Sequence, residues 1–532
     1  MSTGEHMVKC RHRTTGYPEK NVAKPARPSS QPLYLGSRPL PVLRLFAINT
    51  SHISAECHIR SSALPMSASN LHSSRIEPQM EKRSKRYMDL LRRRLPLLFS
   101  ITLAIYAFAW YPLPAAYQGA EGIMVALFLF ALTQEQGRPM RTNTAFLLCM
   151  GLLVYLVAGL AYHKLVLPEG FKVSVRFSRY YLKPLLIVIV AFGLALARPR
   201  FAWLFLPIAF CGLLVQLALT IDGSLIDQIL QGYRPSFGFT NAQHSGVAFG
   251  TALLALIIFA PRILHTRKPR RYVYGALLLC AIAIAAACVL VTQVRAVWLA
   301  LALALPIGFV LSLVYRDRGR KNTFKGIYLP VFALLAVIGI TSALLLTTGL
   351  EDRLEQRLVA TDEQIQELQE ALTLEDVART STTIRVASWA AAVDWFSERP
   401  ILGWGPGTTP QLIEKAPYFD DWFKNQFGHL HNSYLEAAVS LGTVGLLLLL
   451  GLVVYLGWAI IQAYRSGAMP RDAFIFSWTF FIFWLVVNCF ESYIMFNTGH
   501  VITACVGGFL YHFYLKAEIK DHDRTPGNES GD

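Results

Sequence analysis

From Leu95 onward, apolar runs alternate with short polar breaks, and nearly every run is long enough to cross about 30 Å of hydrocarbon. Lipid offers no water to satisfy backbone amides, so runs of this length must close their own hydrogen bonds as helices. Twelve spans are expected, near 95–113, 119–134, 143–162, 180–197, 200–220, 245–261, 273–293, 296–315, 326–347, 433–462, 473–490 and 498–516. The second is short, and only Arg198, Pro199 and Arg200 separate the fourth from the fifth. Only 16% of the 532 residues are charged, against roughly 25% in an ordinary soluble domain. Together with 54% apolar residues this excludes a disordered chain, a coiled coil and a standard cytosolic enzyme. The expected fold is an all-α polytopic membrane protein of about 12 transmembrane helices with one large periplasmic helical loop.

The net charge of +16 does not point to nucleic acid, because residues 1–94 alone carry +11 of it. That stretch is rich in Ser, Pro, Arg and His without a sustained period. It is expected to be a disordered N-terminal extension, or the product of a start codon placed too early, with Met80 and Met88 as later starts. The basic stretch 82–94 suits the inner flank of a first span, and no cleavage site for a signal peptide follows it. Eight cysteines show neither CxxC nor zinc-like spacing, so neither a disulfide framework nor a metal site is indicated.

Orientation follows from the loops. With the N-terminus inside, sixteen Lys and Arg fall in inside loops and six in the short outside ones. Basic residues are retained on the cytoplasmic side, so both termini, including the tail 517–532, are expected there. One outside loop, 348–432, is far longer than the others, and loops of that size usually carry function. The domain plan is therefore an extension 1–94, spans 95–347, a periplasmic loop domain 348–432, spans 433–516 and the tail. In the loop, 351–376 has the leucine and isoleucine spacing of an amphipathic helix. Its second half concentrates Trp389, Trp395, Trp404, Tyr418, Phe419, Trp422 and Phe427, as in an interfacial aromatic belt. That half is expected to lie at the membrane boundary as a lid over a cavity.

No P-loop, GxGxxG with a following acid, or HExxH is present. Chemistry on the outer side, where ATP is absent, needs a pre-activated and lipid-linked substrate. The residues suited to it cluster in the large loop: Arg379, Arg385 with Trp389 one helical turn on, the Pro- and Gly-rich run 400–407, and His429-Leu-His431-Asn432. After Asn432 come nine residues, Gly442, two residues and Gly445. These motifs resemble the O-antigen ligase and polymerase superfamily, and the ligases most of all, over residues 234–445.

The resemblance implies a GT-C-like fold in the bacterial inner membrane with a periplasmic active site. The substrates it implies are an undecaprenyl-diphosphate-linked O-antigen donor and a lipid A–core acceptor, with membrane lipids around them and no nucleic acid. The leaving diphosphate gains charge in the transition state, so preorganised cations lower the barrier. Arginine forks bind phosphate oxygens in pairs and keep their charge. The acceptor hydroxyl needs a base, and histidine is poised for that near neutral pH. The catalytic candidates are accordingly His431, Arg385 and Arg295, with no metal and no cofactor.

Arg295 stands where the family has a functional arginine, but Val294 and Ala296 replace the small flanking residues expected there. A snorkelling anchor is the competing explanation. Asn432 suits a helix N-cap. Two histidines two apart can hold a metal, but no carboxylate motif accompanies His429 and His431. Trp389, His429 and Asn432 are assigned to substrate binding. Arg234, in the segment 233–244, is assigned there too, although a plain turn and helix cap explain that segment equally well. Arg379 is read as a solvated loop arginine. The alternatives are an O-antigen polymerase and a protein O-oligosaccharyltransferase. A transporter ranks lower, because the span centres are nearly free of ionisable residues.

Overall fold

The computed structural model describes residues 70–264, 270–315 and 381–524. The chain divides into two compact units, Met1–Glu81 and Lys82–Asp532. Every regular element among the described residues is helical. In chain order these include α1 (Asn70–Ala109), α2 (Pro114–Thr133), α3 (Arg138–Arg141), α4 (Thr144–Val166), α5 (Val175–Leu182) and α6 (Leu185–Leu196). They continue with α7 (Pro199–Thr220), α8 (Gly223–Leu230), α9 (Ala242–Ile263), α10 (Arg270–Val291) and α11 (Arg295–Val314). After the undescribed stretch come α12 (Ser381–Glu398), α13 (Thr409–Lys415), α14 (Asp421–Gln426), α15 (Ser433–Arg465), α16 (Arg471–Asn488), α17 (Asn497–Ile502) and α18 (Gly508–Arg524).

Eight of the described helices are long and apolar enough to cross a membrane, or nine if the bent pair α5 and α6 counts as one span. The chain is an all-α polytopic membrane protein. The expected ninth span and the amphipathic helix at 351–376 lie outside the described residues, as does Arg379. Leu447, Leu450 and Val454 on α15 remain exposed, which suits a face bathed by lipid tails.

Three elements depart from the expected pattern. Helix α1 begins at Asn70 and runs through the basic stretch 82–94, which was expected to lack structure. Its Lys, Arg, Met and Leu residues are good helix formers and continue directly into the span. The fourth expected span is bent by 43° between α5 and α6. Pro184, just ahead of α6, lacks the N–H that a continuous helix needs there. The twelfth is interrupted by a π-helical stretch, Thr503–Gly507, before α18.

The aromatic loop segment packs on itself. Trp395, Trp404, Phe419 and Phe423 are buried together with Leu412, Ile413 and Leu430 in a small core of their own. Phe419 and Phe423 stack at 4.1 Å, and Trp404 donates its indole N–H to the Trp395 carbonyl at 2.8 Å. A segment this rich in aromatic side chains buries enough apolar area to fold on itself.

The 400–407 run locks that segment to α15. Gly442 has φ +61°, which breaks the helix and strands backbone groups on both sides. Trp404 and Gly405 N–H groups donate to the Val439 and Ser440 carbonyls, at 2.8 and 3.0 Å. In return, Thr443 and Val444 N–H groups donate to the Pro400 and Ile401 carbonyls, at 2.8 and 3.2 Å. A Cβ on Gly403 would lie 2.6 Å from the Gly442 nitrogen, and one on Gly442 would lie 2.4 Å from the Ile401 oxygen. The two backbones touch, so glycine is required at both positions.

Candidate active site

The junction that starts α15 carries the two histidines. Asn432 caps the helix: its Oδ1 accepts from the Tyr434 and Leu435 N–H groups at 2.9 and 3.1 Å, as its residue type predicts. His431, immediately before the cap, has φ +51°, a left-handed conformation that turns the chain sharply. Glu436 braces this turn from inside the first turn of α15. Its Oε2 accepts from the Leu430 N–H at 3.0 Å and from the Ser492 hydroxyl at 3.4 Å.

Glu491 arrives from the segment after α16. It is 1% exposed. His429 Nε2 donates to Glu491 Oε1 at 2.9 Å, and His431 Nδ1 lies 3.7 Å from the same oxygen, within ion-pair range but too long for a hydrogen bond. The Ser492 N–H also donates to Glu491 Oε1, at 3.0 Å. The two segments are tied by backbone: Asn432 N–H donates to Ser492 Oγ at 3.2 Å, and Ser433 Oγ donates to the Glu491 carbonyl at 3.0 Å. Among the described residues neither ring nitrogen of His431 nor Glu491 Oε2 has a hydrogen-bond partner, and all three atoms are buried. Buried polar atoms are normally paired, so unpaired ones call for a reason such as a catalytic role or a bound water or ion.

Arg385 and Trp389 reach the same segment from α12. Arg385 Nε donates to the Phe490 carbonyl at 3.1 Å, which sets its guanidinium beside Glu491. The Trp389 ring lies 6.2 Å from the Phe490 ring. One turn of helix therefore presents both side chains to one residue. Arg295 is the first residue of α11, directly after a tight turn in which Gln293 has φ +52°. Its charge is among those felt by Arg385. Arg234 donates from Nε to the Thr292 carbonyl at 3.0 Å and so braces the turn ahead of Arg295. The structure thus brings His429, His431 and Arg385 together, sets Arg295 within electrostatic reach, gives Asn432 a capping position and ties Arg234 to the α10–α11 turn.

Two site residues were not singled out from the sequence. Glu491 sits just beyond an apolar span, in Cys489-Phe490-Glu491-Ser492, and a lone acid there is costly unless it serves a purpose. His244, at the start of α9, is fully buried, with both ring nitrogens unpaired. Its ring packs on Phe496 at 4.6 Å, and Phe496 in turn packs on His429 at 5.3 Å.

The electrostatics divide the histidines. Burial lowers His431 below its ordinary 6.5, and the charges of His429 and Arg385 add to this despite the opposing pull of Glu491. Burial also opposes charge on His429, but the hydrogen bond and charge of Glu491 outweigh it and raise His429. Burial would raise Glu491, yet the two histidines hold it well below its ordinary range. Burial, with a contribution from Arg295, lowers Arg385, against the pull of Glu491. These shifts favour charge on the His429–Glu491 pair and the neutral form of His431.

The metal question takes a different form than the sequence suggested. No carboxylate motif accompanies His429 and His431 in sequence, but the fold brings Glu491 to them, and the donor atoms of the three lie within 4.8 Å of one another. Two imidazoles and a carboxylate are a reasonable set for a transition metal. In this structure His429 and Glu491 are hydrogen-bonded to each other, and a metal bound there would displace that proton.

These properties give a testable pH dependence. Activity that needs neutral His431 and protonated His429 should be bell-shaped. The acid limb should fall as pH drops below 6.5 and through the lowered value of His431, and the alkaline limb as pH rises through the raised value of His429. The apparent values belong to the coupled group. For stability the raised histidine contributes fully below 6.5 and is lost as pH climbs through its folded value. The depressed glutamate contributes above 4.5 and is lost only as pH falls through its folded value. Their joint contribution is therefore complete between 4.5 and 6.5. Glu491→Gln should move the alkaline limb of the rate profile toward acid. An unmoved limb would separate Glu491 from the titration.

Helix ends that converge on a buried cluster of histidine, arginine and glutamate define a multi-pass membrane protein with an enzyme-like polar centre. A family model described as O-antigen ligase matches residues 280–450 and supports that family for this chain. The match takes in Arg295, Arg385, His429 and His431, and its limits leave out Arg234, His244 and Glu491. No curated protein matches the chain. The family implies a glycosyltransferase-like enzyme acting on polysaccharide, of ligase or polymerase type, with lipid-linked glycan and a lipid acceptor as substrates.

Proposed function

We propose that the protein is an O-antigen ligase, moving O-polysaccharide from undecaprenyl diphosphate to a hydroxyl of lipid A–core at the periplasmic face of the inner membrane. The observation that carries this reading is His431: buried, unpaired at both nitrogens, kept less basic than a free imidazole, and next to a cationic group. In the reaction His431 takes the proton of the acceptor hydroxyl. The acceptor oxygen then forms its bond to the anomeric carbon as the bond from that carbon to the diphosphate oxygen breaks. The electron pair leaves with the diphosphate, and attack opposite the leaving group inverts the anomeric centre.

Arg385 and Arg295 stabilise the charge that grows on the diphosphate, and Arg234 holds the turn that presents Arg295. Protonated His429, held by Glu491, adds a further cation and keeps its neighbour neutral. Trp389 offers a ring and an unpaired indole N–H to the substrate. The proton on His431 passes afterwards to solvent or to the departing phosphate. No step in this scheme calls for a metal.

The test mixes purified protein, carrier-linked glycan and lipid A–core in excess EDTA without nucleotide. Glycan joined to lipid A–core is the expected product. Longer carrier-linked chains would reassign the protein as a polymerase, and glycosylated pilin or another periplasmic protein as a protein O-oligosaccharyltransferase. Loss of activity in EDTA that added metal restores would overturn the metal-free mechanism. Carrier-linked glycan that only changes sides in vesicles would make the protein a transporter.

A further inference from the structure

Across Phe496 from the histidines lies a cavity of about 460 Å³. It forms where the end of α1, the start of α2, the 238–240 loop and the 495–498 segment meet. Its size falls in the usual range for small-molecule sites, roughly 300–1,000 Å³. We propose that this cavity is a sugar subsite that takes a pyranose residue of one of the two glycans while the reacting groups lie beside His431. The proposal rests on glycan transfer as the function and adds where a sugar ring is held.

The lining carries the argument. Among the described residues no Asp, Glu, Lys or Arg borders the cavity, so its lining lacks the charges that a diphosphate or a metal cation would call for. It is not a lipid-tail groove either, because Gln118, Asn497 and Thr498 line it beside the aromatic rings. A pyranose has an apolar C–H face and a rim of hydroxyls. Flat rings suit the face, and amides, which both donate and accept, suit the rim.

The rings are held in place before any ligand arrives. Tyr111 stacks on Phe239 at 3.7 Å, with Trp110 edge-on to both, at 5.7 and 5.6 Å. The Tyr111 hydroxyl donates to the Gly238 carbonyl at 2.7 Å, which leaves its ring as a fixed platform. Gln118 and Asn497 are exposed, so their amides are accessible. Phe496 is the shared wall. It lines the cavity, and its ring centroid lies 5.3 Å from that of His429. A ring seated there is one aromatic wall from His429, whose ring centroid lies 4.2 Å from that of the proposed base His431, a separation that a chain of several sugars spans.

The experiment uses the full-length protein in nanodiscs and compares wild type with Gln118→Ala/Asn497→Ala, two exposed positions chosen so that folding survives, and with Trp110→Phe. Donor and acceptor KM are measured separately. Binding is measured directly with O-polysaccharide freed of carrier, core oligosaccharide freed of lipid A, and sugar-free undecaprenyl phosphate. The double variant should raise one KM about tenfold and weaken binding of the matching free oligosaccharide by a similar factor. A donor effect assigns the subsite to the O-polysaccharide and an acceptor effect to the core.

Unchanged KM values and unchanged oligosaccharide binding in all variants would overturn the subsite and leave the transfer reaction standing. Weakened binding of undecaprenyl phosphate alone would overturn it in favour of a lipid groove. Should wild type fail to transfer glycan at all, the free-oligosaccharide binding still decides the subsite separately from the reaction.

Discussion

His431→Ala is expected to lower the transfer rate by about 10²–10⁴-fold, the usual worth of a positioned general base. The protein should still insert and fold. Asn432, not His431, caps α15, and Glu436 and Ser492 hold the surrounding backbone. Neither ring nitrogen of His431 supports a neighbour by a hydrogen bond, so removing the ring leaves no donor or acceptor stranded. What disappears is a buried imidazole whose burial favours the neutral form that can accept a proton.

Three further results would tie the loss to proton transfer. Added imidazole should restore part of the rate. The acid limb of the pH profile should vanish with the ring. His429→Ala should cost less and act on the alkaline limb, because His429 is the charged partner of Glu491. Normal transfer by His431→Ala would remove it from the chemistry. Equal loss in His431→Ala and His429→Ala, with no rescue and no change of pH profile, would reduce both to structural roles.

Nine of the twelve expected spans, counting the bent pair as one, coincide with helices long and apolar enough to cross a membrane, because a lipid-embedded helix needs a long apolar run and hydropathy records that need directly. The bend at Pro184 and the start of α1 at Asn70 escaped because hydropathy says nothing about backbone continuity. Arg385, Trp389, His429, His431 and Asn432 were legible because they lie in one loop at short, regular spacings. Glu491 lies 60 residues beyond His431, and only the packing of the 489–492 segment on the start of α15 brings the carboxylate to the rings. The same limit hid the link between Gly442 and the 400–407 run. Each looks like a turn signal alone, and their common purpose is visible only in the exchanged hydrogen bonds. The mutual packing of rings in the aromatic half of the loop was hidden for a related reason. Composition shows many rings and does not show whether they face lipid or one another.

Arg385→Ala should lower the rate by about 10²–10³-fold, the cost of removing one preorganised donor from a developing anion. Arg385 is half-buried, and its Nε is committed to the Phe490 carbonyl. That bond fixes the plane of the fork next to Glu491, so orientation is set before substrate binds. Removing it exposes a second cost: a carbonyl left without its donor destabilises the 489–492 segment by about 1–3 kcal/mol. A thermal shift measured beside the rate separates the two effects. Arg385→Lys makes the separation sharper. It keeps the charge beside Glu491 and Arg295 but offers a point cation in place of a two-pronged donor. If Arg385 binds the leaving diphosphate, lysine should recover stability more fully than rate, and kcat should stay depressed even at saturating donor. If Arg385 only pins Phe490, rate and stability should recover together.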